Sequence, residues 1–181
     1  MSTFSIRPYR LDDVDEVYAA ADESRQHIAK WMDWMTPEYS REHAEAWVKQ
    51  AVAWWENEVN FEHVIVDDAD GSIAGSCGLN HLDRVNGFCN LGYWVRTSKI
   101  GQGAALQATQ LLRDFGFETL GLNRLEIVIA EGNLHSRQVA ERTGAVYEGL
   151  QRSRLKIFGR VHHAHMFALL NPSVNPVQAK P

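Results

Sequence analysis

The spacing of apolar residues predicts a short strand and three helices in the first third of the chain. Residues 4–8 alternate apolar and polar positions as far as a proline, as an edge strand does. Apolar positions then recur three and four residues apart, which is the helical period. Asp12 or Asp13 caps the first predicted helix, the second runs over residues 28–35, and Ser40 caps the third.

The middle of the chain has the pattern of a β-meander. Runs rich in β-branched and aromatic residues predict strands over residues 61–66, 72–79 and 88–95. The two connections are rich in Asp, Asn and Gly, which favour tight turns. We therefore expect three antiparallel strands that lead directly into a glycine-containing loop.

The last third predicts alternating helix and strand. The predicted elements are a helix after the loop, a strand over residues 125–129, a helix over 136–143 ended by Gly144, and strands over 146–149, 155–158 and 161–170 with a turn at Gly159. The crossover from strand 88–95 through a helix to strand 125–129 predicts parallel neighbours. The fold class is α/β or α+β with a mixed sheet.

The loop Ile100–Ala105 carries two glycines between a predicted strand and a predicted helix. The first N–H groups of a helix have no internal partner, and the helix dipole makes that end partly positive. Gly101 and Gly103 would let a phosphate approach the backbone, although a simple tight turn is the alternative. The loop lacks the Lys-Ser/Thr pair of a P-loop and the third glycine of a dinucleotide fingerprint.

Composition indicates one globular domain, over residues 1–170, with a loose tail over 171–181. The chain has 181 residues, 45% hydrophobic and 23% charged. Its net charge of −5 argues against a general nucleic-acid binder, leaving only a local basic patch open. No apolar run has the length of a membrane span or a signal-peptide core. Cys77 and Cys89 have no metal spacing and suit a reducing cytoplasm.

Two side-chain groups allow both a structural and a functional interpretation. Most of the tryptophans lie between residues 31 and 55 at helical spacing, so they form a packed face, or Trp31 or Trp34 lines a groove or a subunit contact. The histidines of segment 162–165 suggest a metal, but no further ligand stands at a suitable spacing. We expect no metal site.

Two blocks resemble the GNAT acetyltransferases. The loop is similar to their acetyl-coenzyme A pattern, Gln/Arg-x-x-Gly-x-Gly/Ala, except that Ile100 stands at the first position. A second block, over residues 123–149, resembles the RimJ/RimL branch, named for enzymes that acetylate the N-terminal amino groups of ribosomal proteins. The likeness runs from about residue 4 to residue 170.

This resemblance implies the GNAT fold, whose mixed central sheet has a splayed parallel strand pair and flanking helices. It also implies acetyl-coenzyme A as co-substrate, held by backbone groups of Trp94, Val95 and Arg96, by the N–H groups of Gly101, Gln102, Gly103, Ala104 and Ala105, and by Asn133 and Ser136. The structural alternative for Asn133 and Ser136 is an Asx turn and a helix N-cap.

The implied reaction is direct attack of an amine on the thioester. Ser136 is the candidate that protonates the sulfur, with Tyr147 second, and an N–H near Val95 would stabilise the oxyanion. Many relatives carry a Glu base at the position of Asn90. Candidate replacements are Glu62, His63 and His81, each of which also has a purely structural interpretation as a solvated group.

The acceptor is expected to be a primary amine, first of all a protein N-terminal α-amine. Such an amine has a pKa near about 8, against about 10.4 for Lys, so it needs only a weak base. The alternatives are a small amine, favoured by a closed pocket of Trp31, Trp34 and Trp55, and a non-catalytic acyl-coenzyme A sensor. We further expect a cytoplasmic homodimer with no nucleic-acid or membrane partner.

Overall fold

A computed structural model describes residues 3–174 and contains one mixed sheet of seven strands in the order β1-β2-β3-β4-β5-β7-β6. The strands are β1 Phe4–Pro8, β2 Phe61–Asp67, β3 Ile73–Asp83, β4 Phe88–Val95, β5 Arg124–Ala130, β6 Val146–Ile157 and β7 Arg160–Leu170. The helices are α1 Val14–Glu23, α2 Arg25–Ile28, α3 Arg41–Glu56, α4 Ala104–Asp114 and α5 Leu134–Thr143. A single π-helical turn, Phe115–Thr119, extends α4.

The sheet joins an antiparallel meander to a second antiparallel unit through one parallel contact. Strands β1 to β4 pair antiparallel in chain order, whereas β7 lies between β5 and β6 and pairs antiparallel with both. Between the two units, β4 and β5 run parallel and are connected by α4. The predicted mixed sheet, with 88–95 and 125–129 as parallel neighbours, is confirmed.

Helices cover both faces of the sheet, so each face has its own apolar core. On one face, α4 and α5 bury residues such as Leu112 and Ala140 against Leu125 and Phe167. On the other face, α1 and α3 bury residues such as Val17 and Val48 against Val64 and Ile73. Alternate residues of each strand therefore contact different helices.

Three predicted elements were wrong at their boundaries. The helix predicted over residues 28–35 ends at Ile28, and the N–H groups of Trp31 and Met35 each close a four-residue turn. Met35 is buried, so its apolar character reflects core packing and not helical period. The strands predicted over 146–149 and 155–158 belong to one strand, β6, whose pairing with β7 continues through two register shifts, at Tyr147/Gly149 and Gln151/Leu155.

The C-terminal end of α1 and the start of α2 hold the chain that leaves β4. Ser24 Oγ accepts the Thr97 N–H at 3.0 Å and donates to Ala20 O at 2.6 Å. Glu23 Oε1 accepts the Ser98 N–H at 2.8 Å. These bonds set the position of the segment that becomes the glycine loop.

The described residues contain no helix long and apolar enough to span a bilayer. The tail predicted to be loose begins at Asn171, whose N–H donates to Asn123 O and whose side chain donates to Leu122 O. Residues 175–181, the rest of that predicted tail, lie outside the described residues.

Ser24→Ala should lower the free energy of unfolding by about 1 kcal/mol, because it removes a fully buried hydroxyl that bonds to two elements. Urea denaturation measures the change. Ser173→Ala, in an exposed turn, is the control and should stay within about 0.5 kcal/mol of the parent. Equal effects of the two substitutions would contradict the role of Ser24.

Candidate active site

The two parallel strands separate soon after they meet. Only Phe88–Arg124, Cys89–Leu125 and Asn90–Glu126 are paired between β4 and β5. Beyond Asn90, β4 continues to Val95 beside β3, and β5 continues to Ala130 beside β7. A cleft therefore opens between residues 91–95 and 127–130, and strand edges border it on both sides.

The register of β4 shows which backbone groups face this cleft. Gly75 of β3 is paired with Val95 of β4. The residue before Gly75 and the residue after Val95 are hydrogen-bonded, because Arg96 N–H donates to Ala74 O at 2.8 Å. In an antiparallel ladder this makes Gly75–Val95 a non-hydrogen-bonded pair, so the N–H and C=O of Val95 point away from β3. The same alternation turns the backbone groups of Tyr93 toward the cleft.

This register corrects part of the predicted cofactor contacts. The N–H of Arg96 is used by Ala74, and the backbone of Trp94 faces Ser76 of β3. The cleft-facing backbone groups belong instead to Tyr93 and Val95. Because the carbonyl of Val95 accepts from His27 Nε2 at 2.8 Å, its N–H is the group that faces a ligand.

The glycine loop, Ile100–Ala105, delivers the start of α4 to one end of the cleft. Gly101 and Gly103 have φ of +80° and +95°, which L side chains rarely adopt, and Gly103 is the N-cap residue. No side chain caps this helix, and its first backbone bond to the cap is Gln107 N–H to Gly103 O. The N–H groups of Ala104, Ala105 and Leu106 therefore lie at the positive end of the helix dipole without acceptors in the helix.

The start of α5 brings the Ser136 hydroxyl to the cleft, where it meets a hydroxyl from β4. Asn133 is the N-cap residue, and its Oδ1 accepts the Ser136 N–H at 3.2 Å, so the predicted cap is present. Ser136 Oγ shares a hydrogen bond of 2.8 Å with the Tyr93 hydroxyl from β4. Burial raises the pKa of Tyr93 to about 12, so its phenol stays protonated.

Tyr93 is a site residue that the sequence reasoning missed. Tyr147, the second candidate for protonating the sulfur, is exposed and shares a hydrogen bond of 3.1 Å with His165 Nδ1. The alternation along β4 could have indicated Tyr93, since it shares a face with the buried Leu91 on the side of α4 and α5.

A buried carboxylate lies on the opposite face of the sheet. Glu62 on β2, Gly78 on β3 and Gly92 on β4 are consecutive cross-strand partners in one row. A Cβ built on Gly78 would overlap the Glu62 carboxylate, so the side chain extends across β3 in the direction of β4. A Cβ on Gly92 would have only an ordinary contact of 3.8 Å with Asn90 Nδ2, so packing does not require this glycine.

Two asparagines connect Glu62 to the position where relatives carry a base. Asn90 Nδ2 donates to Asn80 Oδ1 at 2.9 Å, and Asn80 Nδ2 donates to Glu62 Oε1 at 3.2 Å. Burial raises the pKa of Glu62 above its usual value, and the bond from Asn80 lowers it in part. Asn80 thus fixes the position of the Glu62 carboxylate, and burial raises its pKa in the direction that suits a general base.

A cavity of 470 Å³ opens over this row, and we name it the acceptor cavity. It contacts β4 at Gly92, Tyr93 and Trp94, next to the cleft, and Glu62 lies in its wall. The other lining residues come from α1, α3, β3 and the connections around them: Tyr9, Val17, Met32, Trp34, Tyr39, His43, Ala46, Trp47, Gln50, Ser76, Cys77 and Asn80.

The remaining candidate bases lie elsewhere. His63 faces the other side of β2, where its ring packs against Trp55 at 4.9 Å and burial lowers its pKa to about 4. His81 is exposed, has a φ of +53° in an irregular part of β3, and does not line the acceptor cavity. Of the three predicted candidates, Glu62 is the one in the cavity.

The tryptophan pocket and the histidine segment also differ from the expectations. Trp34 lines the acceptor cavity as predicted, but Trp31 and Trp55 do not, and Trp47 and Trp94 take their place. Within residues 3–174, no group of three or more His, Cys, Asp or Glu side chains could hold a metal ion.

Comparison with known proteins agrees with this geometry. Residues 4–146 match the family model described as Acetyltransferase (GNAT) domain. The N-acetyltransferase YdaF of Bacillus subtilis (strain 168) is 40% identical over 101 residues, which are 56% of this chain and 55% of that protein. The ribosomal-protein-serine acetyltransferase of Escherichia coli (strain K12) is 32% identical over 80 residues, 44% of this chain and 45% of that one. The chain thus spans about half the length of these curated relatives.

Among solved structures, RimL, a ribosomal L7/L12 α-N-protein acetyltransferase in complex with coenzyme A, superposes with a TM-score of 0.86. The alignment covers 93% of this chain and 94% of that one, at 21% identity, and so shows a shared fold. The family model, over residues 4–146, covers most of the chain. The chain therefore belongs to the GNAT acetyltransferase family.

Proposed function

We propose that the protein transfers an acetyl group from acetyl-coenzyme A to a primary amine, most specifically the N-terminal α-amine of a protein. One observation carries this proposal. The cleft between β4 and β5 meets the acceptor cavity at Gly92–Trp94, so a site for a thioester and a site for an amine adjoin across one strand.

The cleft fits the chemistry of coenzyme A. A diphosphate needs several N–H donors, and the uncapped start of α4 offers those of Gly103 to Leu106. The amides of the pantetheine arm need partners from a strand edge, which Tyr93 and Val95 offer. Asn133 uses its side-chain oxygen as a cap, which leaves its NH₂ group to donate to the arm. When bound, acetyl-coenzyme A supplies the acetyl thioester.

Glu62 is proposed to take the proton of the acceptor ammonium. Its burial and raised pKa suit a base that works near neutral pH, and Gly78 and Gly92 leave the path across β3 and β4 free of side chains. Glu62 thereby replaces the carboxylate that is missing at Asn90. The N–H of Val95 faces the cleft and is placed to stabilise negative charge on the thioester oxygen.

The Tyr93–Ser136 hydroxyl pair is proposed to donate a proton to the departing sulfur. The two oxygens share one hydrogen bond, so one hydroxyl donates its proton to the sulfur, the other hydroxyl replaces that proton, and solvent water restores the proton of the second hydroxyl. Ser136 lies at the start of α5, whose partly positive end also favours a thiolate.

The finer assignments rest on the relatives and on the sequence. A protein N-terminus as acceptor is supported by relatives named for ribosomal-protein acetylation. The homodimer, the cytoplasmic location and a single domain over residues 1–170 stay predictions.

Gly103→Ala should weaken coenzyme A binding about tenfold or more, because alanine resists the left-handed φ that aims the loop. Isothermal titration calorimetry with coenzyme A measures the affinity. Gly121→Ala is the matched control, since Gly121 also has a positive φ, of +64°, but lies after the helix and its π-turn. Gly121→Ala should bind coenzyme A with the affinity of the parent. If Gly103→Ala also binds coenzyme A as tightly as the parent does, the loop assignment is refuted.

Glu62→Gln should lower kcat about 10²-fold or more and leave coenzyme A affinity unchanged, as expected for loss of a general base. In the parent, kcat/KM should rise with pH through the raised pKa of Glu62, and the variant should lack that limb. Thiol release against an amine measures both. Glu118→Gln, in the exposed π-turn, is the control and should keep the parent rate.

Glu62→Gln should also raise the free energy of unfolding at neutral pH. The folded-state pKa of Glu62 lies above its unfolded value, so the folded chain binds this proton more tightly. Its contribution to stability is therefore lost as pH rises from about 4.3 through the raised pKa. The glutamine of the variant does not ionise, so the variant has no such loss. Urea denaturation at pH 7 measures the change, and a variant less stable than the parent would contradict a buried charge that is kept for function.

Ser136→Ala and Tyr93→Phe should each lower kcat about tenfold or more, with little change in coenzyme A affinity. Because both hydroxyls act through one hydrogen bond, the double variant should be hardly slower than either single variant. Tyr147→Phe is the control and should keep the parent kcat. If Ser136→Ala leaves kcat unchanged, the Ser136 hydroxyl takes no part in the reaction and the residue has only a structural role in the first turn of α5.

A further inference from the structure

The acceptor cavity has walls built mainly from aromatic rings. In one group, the Trp34 ring lies 5.6 Å from that of Tyr39 and 6.1 Å from that of Trp94. In a second group, Tyr9 and Trp47 meet edge to face at 6.5 Å. Both groups line the same space next to Glu62.

Two of these rings, those of Trp34 and Trp47, are incompletely covered. Trp34 is 40% exposed and Trp47 is 38% exposed, although both contribute to a concave surface. Apolar surface that borders a cavity gains free energy when a ligand displaces the water there.

Two of the residues that line the cavity carry buried polar groups. Glu62 is 5% exposed and presents the carboxylate that would meet the ammonium of an acceptor. The Tyr9 hydroxyl is buried and completes no hydrogen bond within the described residues, although Ser76 and Trp47 are its polar neighbours. A buried hydroxyl without a partner is costly, so a ligand that bonds to it is favoured.

Resting on the proposed function, we propose that the acceptor carries a large apolar or aromatic side chain beside its reactive amine. For a protein substrate this means an N-terminal residue such as phenylalanine, tyrosine, tryptophan or leucine. The ammonium contacts Glu62, the side chain fills the aromatic walls, and the next polar group of the acceptor bonds to Tyr9. The serine for which the Escherichia coli relative is named would leave Trp34 and Trp47 uncovered.

The experiment measures kcat/KM by thiol release with the full-length chain, acetyl-coenzyme A and peptides that differ only in the first residue. Phenylalanine and leucine peptides should exceed serine and alanine peptides by about tenfold or more, the range that apolar pockets give. Phenylalaninamide and serinamide are included as free small amines with the same two side chains.

Trp34→Ala should reduce the phenylalanine-to-serine ratio about tenfold, and Trp34→Phe should restore most of it. Trp54→Ala is the matched control, because Trp54 lies on α3 next to Trp47 but does not line the cavity. Its ratio should equal that of the parent. Circular dichroism of each variant verifies that it is folded, and an unchanged ratio in folded Trp34→Ala contradicts the assigned walls.

The outcomes separate this inference from the proposed function. If serine or alanine peptides react as fast as phenylalanine peptides, the side-chain class is wrong while the acetyltransferase proposal stands. If phenylalaninamide reacts and no peptide does, the side-chain class is supported and the protein acceptor is refuted. If coenzyme A binds but no amine releases thiol, the proposed function fails, and this inference fails with it.

Discussion

The separation of β4 from β5 after Asn90 and Glu126 is the constraint on which the site depends. Each strand is held on its outer side, β4 by β3 as far as Val95 and β5 by β7 as far as Ala130. Neither strand is therefore free to close the gap. Buried or partly buried backbone groups need partners, so two exposed strand edges inside a domain favour a ligand that hydrogen-bonds like a strand.

The alternation of side chains along β4 then divides the chemistry between the two faces of the sheet. Tyr93 points toward α5 and meets Ser136, on the side of the proposed proton donor to the leaving group. Gly92 and Trp94 line the acceptor cavity on the other side, the proposed site of the amine. The backbone of one strand thus lies between the two proposed proton transfers.

The Glu62 side chain extends from β2 across β3, and hydrogen bonds through Asn80 and Asn90 connect its carboxylate to β4. Neighbouring strands lie about 4.8 Å apart, and a Glu side chain crosses that distance only where no side chain blocks it. Gly78 clears the way, and Asn80 and Asn90 bond in series behind the carboxylate. A buried carboxylate costs stability unless its hydrogen bonds are made, so this arrangement indicates a retained function.

The sequence by itself determined the elements whose signal is local. The strand 88–95, the crossover to a parallel neighbour, the helix end at Gly144 and the glycine loop follow from periodicity, turn residues and chain connectivity. The tertiary structure alone decided which backbone groups of β4 face the cleft, that Tyr93 meets Ser136, and that Glu62 rather than His81 enters the cavity. Those facts depend on cross-strand register and on contacts between distant segments, and a residue pattern along one chain contains neither.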